Sequence, residues 1–305
     1  MEIIDAHSHF GTDMLWQNSG RIDEYVSFAL ANDIRQTFAM SVPCPIFFES
    51  GKKFILLKYK HINGIIKYFS QEEDLRTNEV LIKSIGKVSN PYEKANNLVY
   101  EQCKNNAMFN YVPLIHPYFY SLDDFLLQIK RGAKIFKIHG IACGIIPSEI
   151  PEEFFRLIEF LKIPLLIHTD YSDKENLAYF NDANHWYEVL RKYDIKVYFA
   201  HAVRLIDDIV KKVNEDSRYV VGIGPDRFIC DPYTPMAKKG VDYLEYCFSV
   251  FDMNKIIFDV DYPWNIISSN DYSLDWNSSD RIKLLLGVNE QRKVFSENIK
   301  KFIKR

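Results

Sequence analysis

The chain begins with MEIIDAHSHFG (residues 1–11), and this stretch decides how the rest is interpreted. Ile3 and Ile4 open a short apolar run that a glycine ends, which predicts a buried β-strand. His7 and His9 lie at its C-terminal end, two residues apart. Because residues i and i+2 of a strand face the same side, both imidazoles can bind one metal ion such as Zn²⁺. Two ordinary polar residues at a strand end would give the same pattern, so the test is whether later strands supply further ligands.

Strands and helices alternate along most of the chain. Predicted strands cover residues 36–42, 108–116, 134–139, 164–168, 195–201, 219–223 and 255–261, with helices at 21–32, 98–106, 122–131, 151–161, 184–193, 205–214 and 241–251. Such alternation predicts parallel strands with crossover helices, and eight units fit an α/β fold of the (β/α)8 TIM-barrel type. The alternative, a doubly wound sheet, predicts a glycine-rich phosphate loop after an early strand, and the sequence has none. C-terminal helices follow at 279–286 and 289–304.

We expect a single domain over residues 1–305, since the sequence has no Pro/Gly/Ser linker, internal repeat or low-complexity tract. Residues 46–97 form an insertion after strand two, with a mixed-charge part that is helical in pieces. Connections of this length are usually functional or carry helices of their own. The insertion is rich in aromatic residues and leaves from the active-site side of the barrel, which predicts a lid. A solvent-facing insertion is the alternative.

Bulk composition excludes several classes of function. The net charge is −3, hydrophobic residues make up 47% and charged residues 26%, a normal globular balance without a basic arm for nucleic acid. Five cysteines in no tight pattern argue against a disulfide framework and predict a reducing, cytoplasmic compartment. We find no signal peptide and no apolar run of about 18 residues, so we expect no membrane partner. The expected partner is a small-molecule substrate, and a homodimer stays open.

Polar residues capable of chemistry recur at the predicted strand ends, where active sites of such barrels lie. Six of the eight histidines fall on this rim or at its edge, whereas His61 and His185 do not. His116 ends strand three and is a further rim candidate. The rim residues that end the other strands are His7, His9, Lys137, His139, His168, His201 with Arg204 just beyond, and Asp261.

The order of these motifs resembles the amidohydrolase superfamily, and within it the branch of metal-dependent hydrolases and decarboxylases related to aminocarboxymuconate-semialdehyde decarboxylase. The similarity covers nearly the whole chain. It rests on six stretches, at residues 5–9, 136–139, 165–169, 199–201, 258–264 and 294–299. No single stretch is specific, but their combination in this order is.

The resemblance implies a role for each rim residue. It makes Asp261 a metal ligand, and Asp261 can also transfer a proton in catalysis. It implies that His201 binds a second metal in members with two metals and contacts the substrate in members with one. Lys137 matches a catalytic position that is a carbamylated metal bridge in some members and a free amine in others. We expect one Zn²⁺, or a different divalent metal, and two ions if Lys137 is carbamylated. The expected ligands of the first ion are His7, His9, His168 and Asp261.

Three further residues are expected to bind substrate. Arg204 can pair with a substrate carboxylate, as Lys137 can if it stays charged. His139 shares the end of strand four with Lys137, and Trp264 follows Asp261 as a pocket wall. Two residues depart from the family pattern, Asp259 in place of a small residue and Asp170 in place of a glycine. These extra carboxylates could hold a second metal, orient the ligands, or bind a basic substrate group.

Three functions are compatible with this set of residues. The first is hydrolysis of an amide, lactone or ester by a metal-activated water, since a metal lowers the pKa of bound water towards ~7. The second is non-oxidative decarboxylation of an aromatic or muconate-like acid gripped by the same metal. The third is a barrel that binds a ligand without turnover; the complete set of expected ligands argues against it.

Overall fold

The structure, a computed structural model, describes residues 1–12, 19–42, 92–143, 145–169, 181–224, 243–263 and 278–304, and the backbone of 47–50, 53–62 and 65–70. Its architecture is α/β, as predicted. The strands are β1 (Ile3–Thr12), β2 (Ser19–Gly20), β3 (Ile34–Ser41), β4 (Phe47–Ser50), β5 (Lys53–Ile62), β6 (Ile65–Ser70), β7 (Phe109–Val112), β8 (Phe136–Ile138), β9 (Leu165–Ile167), β10 (Val197–Phe199), β11 (Tyr219–Gly222) and β12 (Ile256–Ile257).

Helices follow most barrel strands. They are α1 (Ile22–Ala31), α2 (Glu93–Cys103), α3 (Leu122–Lys130), α4 (Gly140–Cys143), α5 (Glu152–Leu161), α6 (Ala183–Leu190), α7 (Asp207–Glu215), α8 (Tyr243–Val250), α9 (Ser278–Leu285), α10 (Val288–Arg292) and α11 (Asn298–Phe302), with a π-helical turn at Lys293–Glu297. Local sequence explains several boundaries. Ser121 and Asp124 form a capping box that starts α3, and Lys162 adopts a left-handed conformation that ends α5. In the described residues, no helix is long and apolar enough to cross a bilayer.

Eight parallel strands form the (β/α)8 barrel. One sheet has the order β2-β1-β3-β7 and the other β12-β11-β10-β9-β8, with β2 an antiparallel addition to β1. Two isolated parallel bridges join the sheets, Leu114 with Lys137 and Ser8 with Tyr262. At the second seam, the backbone of Asp261 donates to the His7 carbonyl at 2.7 Å. The first and last barrel strands are therefore neighbours, and the residues that end them meet.

The core has two layers. Ile4, Ala6, Leu166 and Tyr198 belong to the interior cluster inside the strands, and Ile299 and Phe302 of α11 pack against it. The larger cluster lies between the strands and the helices and includes Ile3 and Phe10 of β1. Ile4 and Ala6 thus face inward, as alternation requires.

A β-bulge in β1 changes this alternation before the histidines. Between Asp5 and Ser8 the register against β3 slips, since three steps along β1 match two steps along β3, from Thr37 to Ala39. An extra residue of this kind shifts the alternation of side chains by one. His7 and His9 therefore also face the barrel interior, although they are odd-numbered and Ile4 and Ala6 are even-numbered.

The region after β3 differs from its prediction. Instead of irregular chain, residues 47–70 contain a three-stranded antiparallel sheet, β4-β5-β6. Pairs such as Tyr59 with Tyr68 are opposite each other in register. Residues 71–91, the mixed-charge part predicted to be helical in pieces, lie outside the described residues, and α2 begins at Glu93. The lid role of residues 46–97 stays a prediction. The last barrel strand is also shorter than predicted, because regular pairing ends at Ile257.

Candidate metal centre

The C-terminal rim of the barrel gathers the predicted site residues. His7 and His9 lie on β1, Lys137 is in β8, and the other candidates follow directly on β8, β9, β10 and β12. His7, His9, Lys137, His201 and Asp261 are buried, whereas His139 and His168 are half-buried. The structure thus places the candidates at the C-terminal side of five barrel strands, β1, β8, β9, β10 and β12, where barrels of this type form their sites.

Three nitrogen atoms converge at His7. Its Nε2 lies 2.9 Å from Nε2 of His9 and 2.9 Å from Nζ of Lys137. The two histidine rings meet edge to face, with centroids 4.7 Å apart. The i, i+2 spacing and the bulge bring both imidazoles to one point, as the sequence predicted for a shared ion.

Asp261 brings a carboxylate to the same point. Its Oδ1 lies 3.5 Å from Nε2 of His9 and 3.8 Å from Nε2 of His7. Ligand atoms of His7, His201 and Asp261 all lie within 4.8 Å of one another. Asp261 has a positive φ of 53°, a conformation that costs energy in residues other than glycine, and such strained residues cluster at functional sites.

The remaining histidines form a stack beside this point. The His168 ring stacks on His139 with centroids 3.9 Å apart, and its Nδ1 is 3.1 Å from Nε2 of His201. The His201 ring is in turn 5.6 Å from that of His7. Five rim histidines therefore form one series of neighbouring rings, in the order His9, His7, His201, His168 and His139.

A left-handed turn carries His201 and Arg204. Residues 201–205 all have positive φ values between 46° and 58°, and they include the β-branched Val203. Left-handed helical geometry costs roughly 1–2 kcal/mol per non-glycine residue. Arg204 is 8% exposed, and its charge contributes to lowering the pKa values of His168 and His201. The guanidinium therefore lies close enough to act on the same group of histidines, and its predicted pairing with a substrate carboxylate stays a prediction.

Backbone and side-chain contacts outside the rim orient β1. Nδ1 of His9 is 2.9 Å from the carbonyl oxygen of Ser41, so the ring donates there and its Nε2 faces the site without a proton. Asp5 lies on the outer face of the bulge and accepts hydrogen bonds from the backbone of His7 at 3.0 Å and of Val260 at 2.9 Å. One carboxylate thus joins the two segments that carry His7 and Asp261.

Burial keeps the rim bases neutral. It lowers the pKa of His9 to about 3 and the pKa values of His7, His168 and His201 well below the ordinary value, with Lys137 adding to each shift. Burial also lowers the pKa of Lys137 to about 7, against the opposing effect of Asp261 and Asp259. Neutral imidazole is the form that binds a metal.

Solved structures share this fold. A probable 2-pyrone-4,6-dicarboxylic acid hydrolase from Acinetobacter baumannii, solved with citric acid bound, has a TM-score of 0.60 at 11% identity over 99% of both chains. Amidohydrolase 2 from Bifidobacterium longum subsp. infantis has a TM-score of 0.56 at 11% identity, covering 99% of this chain and 98% of that one. An amidohydrolase from Burkholderia multivorans with bound zinc has a TM-score of 0.59 at 10% identity over 99% of both chains.

This chain has the fold of amidohydrolase-type barrels. No family sequence model and no curated protein sequence matches it. At identities of 11% and below, the likeness is one of fold, so any assignment of chemistry depends on the rim residues of this chain.

The rim fits a divalent metal ion. Nε2 of His7, Nε2 of His9 and Oδ1 of Asp261 lie within 4 Å of one another, and burial keeps both imidazoles neutral, so one ion can share their lone pairs. Histidine nitrogens with one carboxylate are a usual donor set for zinc, and catalytic sites keep one position open. The residues that would hold the ion include His7, His201 and Asp261, whose ligand atoms lie within 4.8 Å of one another, and His9, whose Nε2 lies 2.9 Å from that of His7. His168 contacts His201, and its role as a ligand stays a prediction.

Some of the site could not be read from the sequence. Asp5, Ser41 and Tyr198 shape the centre, but a single aspartate, serine or tyrosine in a strand carries no recognisable signal. His116, the other rim candidate, packs its ring against Phe119 with centroids 4.7 Å apart. Trp264 and Asp170 lie outside the described residues, so their predicted roles stay predictions.

Proposed function

We propose that this chain is a metal-dependent hydrolase of the amidohydrolase superfamily, acting on an amide, lactone or ester of a small molecule. One observation carries the proposal. Nε2 of His9, Nζ of Lys137 and Oδ1 of Asp261 each lie within 4 Å of Nε2 of His7, at the C-terminal rim of a barrel of this fold. The solved structures with this fold include one with bound zinc and others named as hydrolases.

A divalent ion held by the rim histidines and Asp261 would supply Lewis-acid chemistry and would lower the pKa of a water molecule at the site. Asp261 takes a proton from the attacking water at its carboxylate and returns it to the leaving group. His201 donates a hydrogen bond to the substrate carbonyl from its place beside His7. Burial of these residues excludes bulk water, which strengthens each electrostatic contact.

The substrate in this proposal carries a carboxylate. Arg204 is nearly buried and its charge reaches His168 and His201, so a carboxylate at the mouth has a cationic partner. The Acinetobacter baumannii protein is named for a lactone dicarboxylate and was solved with citric acid, which agrees with this substrate class. We therefore place carboxylate-bearing lactones first among the substrates to test.

The first experiment measures metal content of protein purified without added metal. We expect His168→Ala to lower zinc content and abolish turnover. His116→Ala is the matched control, since it removes another buried histidine that packs against Phe119, and we expect metal per folded chain to stay unchanged. Full metal occupancy in His168→Ala would show that His168 is not a ligand.

A substrate panel then separates the reactions. Lactones, amides, esters and aromatic acids are each supplied with and without a carboxylate, and both ring opening and CO₂ release are measured. Hydrolysis that prefers carboxylate-bearing members and weakens in Arg204→Met supports the proposal. Release of CO₂ would replace it with decarboxylation, and metal binding without any turnover would favour a ligand-binding barrel.

The proposal assigns one metal ion to each chain. Nζ of Lys137 lies 2.9 Å from Nε2 of His7, so a charged amine there would repel a second cation, whereas a carbamate would add an anionic oxygen that favours one. Metal stoichiometry is measured with and without bicarbonate in the wild type and in Lys137→Ala. We expect one equivalent throughout. The one-metal assignment would be overturned if wild type bound two metal ions per chain, with occupancy increasing on addition of bicarbonate, and Lys137→Ala bound one.

Residues 46–97 act as a lid in this proposal. β4 begins six residues after β3 ends, so the insertion leaves the barrel at its C-terminal, catalytic side. Limited proteolysis with and without a bound inhibitor tests the role, and we expect the inhibitor to slow cleavage within residues 46–97. Cleavage that ignores the inhibitor would contradict it.

A further inference from the structure

We propose that Asp259 is a positioning residue that accepts a hydrogen bond from Nδ1 of His7 in the metal-loaded protein. This inference rests on the proposed function, because the role of His7 Nε2 as a ligand is part of it. Asp259 is fully buried. The sequence left three roles open for it, and the structure distinguishes them.

The two nitrogen atoms of His7 face different surroundings. Nε2 points at the rim cluster, 2.9 Å from both Nε2 of His9 and Nζ of Lys137. Nδ1 is buried and has no hydrogen-bond partner among the residues that the structure describes. Oδ2 of Asp259 lies 3.8 Å from that Nδ1. The His7 ring therefore lies between the metal centre and the carboxylate.

Metal binding makes this arrangement informative. When Nε2 of a neutral histidine binds a metal, its single ring proton must sit on Nδ1 and needs an acceptor, usually a carboxylate or a carbonyl. The separation of 3.8 Å is about 0.9 Å longer than a normal N–H···O hydrogen bond, a gap that a small rotation of the ring closes. Asp259 thus supplies an acceptor on the side of the ring that requires one.

Three strands build a site for this carboxylate. Tyr198 on β10 donates its hydroxyl proton to Oδ2 of Asp259. Gly222, the last residue of β11, has no Cβ, and an added one would overlap both Oδ2 of Asp259 and the Tyr198 hydroxyl. A Cβ on Gly224 would lie 2.8 Å from Oδ1 of Asp259. The glycines and the tyrosine together make room for a carboxylate that a hydrophobic barrel interior would otherwise exclude.

Hydrogen-bonding capacity remains on Asp259 for this role. Within the described part of the chain, its Oδ1 has no hydrogen-bond partner. A buried polar atom without a partner is costly, so one that is present calls for an explanation. The same added Cβ on Gly224 would lie 3.5 Å from Nδ1 of His201, so Oδ1 and that nitrogen border one space.

The two other roles do not fit this position. As a ligand of a second metal, Asp259 would need further ligand groups around it, but the group of described residues that could hold a metal is His7, His201 and Asp261 and does not include Asp259. As a partner of a basic substrate group it would have to be accessible, and its side chain is 0% exposed. Orientation of His7 is the role that the contacts allow.

Zinc affinity tests the proposal without relying on activity. Wild type, Asp259→Asn, Asp259→Ala and the control Val220→Ala are titrated with zinc against a chelator. Val220 lies in the same interior cluster, so its truncation loosens packing there without removing a polar group. We expect Asp259→Ala to weaken zinc binding ~10–100-fold, the usual range for such partners. The Asn variant keeps an acceptor oxygen and should lie between Ala and wild type, and Val220→Ala should stay within about twofold of wild type.

NMR of histidine-selectively ¹⁵N-labelled, zinc-loaded wild type gives a second measurement that needs no variant to fold. We expect the ring proton of His7 on Nδ1, shifted downfield by its hydrogen bond. A zinc affinity in Asp259→Ala equal to that of wild type or Val220→Ala, or a His7 Nδ1 without a proton, would overturn the proposal. If wild type itself binds no zinc, the proposed function fails. If wild type binds zinc and Asp259→Ala binds it equally well, only this inference fails.

Discussion

Two buried aspartates flank the His-x-His strand, and they differ in how their oxygens are used. Asp5 accepts four hydrogen bonds, from the side chains of Ser8 and Tyr25 and from the backbone of His7 and Val260. Asp259 accepts one, from Tyr198. Burial raises the pKa of both; at Asp5 four hydrogen bonds oppose this effect, whereas at Asp259 Tyr198 opposes it and the nearby Asp261 and Asp5 add to it. A buried carboxylate whose oxygens accept several hydrogen bonds has a structural role, and we call Asp5 the clamp. A buried carboxylate with hydrogen-bonding capacity left over, such as Asp259, is able to accept a further hydrogen bond from another group.

The largest expected effect is the loss of the clamp. Asp5→Ala leaves the hydroxyls of Ser8 and Tyr25 and two backbone N–H groups without their acceptor. Each buried unsatisfied donor costs roughly 1–3 kcal/mol, and partial relaxation makes the sum smaller than additive. We expect Asp5→Ala to lower the free energy of unfolding of zinc-free protein by at least about 3 kcal/mol, measured by urea unfolding.

Asp259→Ala is the matched comparison under the same conditions. Only the Tyr198 hydroxyl loses its partner, so we expect a cost of about 1 kcal/mol. Equal costs for the two alanine variants would remove the distinction between clamp and positioning residue.

A buried histidine outside the rim cluster extends the comparison to pH. Burial lowers the pKa of His116 to about 3, and its ring packs against Tyr92 and Phe119. The unfolded chain binds this proton below about pH 6.5 and the folded chain does not, so stability is full above that pH and falls as the pH drops towards about 3. Between pH 7 and pH 5 we expect the loss from this one group to be about 2 kcal/mol.

His116→Gln tests this expectation by difference. The rim histidines also have lowered pKa values and contribute to the pH dependence of zinc-free wild type, but they remain in the variant. Urea unfolding at pH 7 and pH 5 should therefore show a smaller drop for the variant than for wild type. An identical drop in both proteins would mean that His116 is protonated in the folded state.

The sequence predicts the barrel well because its signals are local and repeated. Alternation of apolar strands with amphipathic helices predicts the parallel order, and histidines at strand ends predict the rim. It does not predict the bulge between Asp5 and Ser8, because the extra residue is defined only against β3. Without the bulge, His7 and His9 would face away from Ile4 and Ala6. The site therefore depends on a feature that is set by pairing between strands.

Other parts of the structure were missed for different reasons. The β5-β6 hairpin had a signal in the sequence, because Asn63-Gly64 separates two runs rich in β-branched and aromatic residues and Asn-Gly is a strong two-residue hairpin signal. The left-handed turn at residues 201–205 contradicts local propensity, since Ala202 and Val203 rarely adopt positive φ. The pocket of Asp259 needs Tyr198 and Gly222 from two other strands, so no window of sequence contains it.

Gly222 permits a further test of that pocket. In Gly222→Ala, the new methyl group overlaps the Asp259 carboxylate and the Tyr198 hydroxyl, and overpacking of this kind typically costs about 1–3 kcal/mol. Both groups are buried and held in contact, so we expect about 1.5 kcal/mol of destabilisation by urea unfolding and a weaker zinc affinity. Combining Gly222→Ala with Asp259→Ala should recover part of the stability, because one of the two overlaps disappears. Additive costs in the double variant would contradict the contact.

The smallest effect is expected for Ser8→Ala, which separates the two aspartates most sharply. Ser8 donates one of the four hydrogen bonds of Asp5, and the other three stay in place. We expect a loss of about 1 kcal/mol in stability, since a single hydrogen bond contributes about that much. Ser8 faces away from the rim, between His7 and His9, so zinc affinity measured by chelator competition should stay within about twofold of wild type. If Ser8→Ala weakened zinc binding as much as Asp259→Ala, the clamp would also tune the metal centre, and the two carboxylates would share one role.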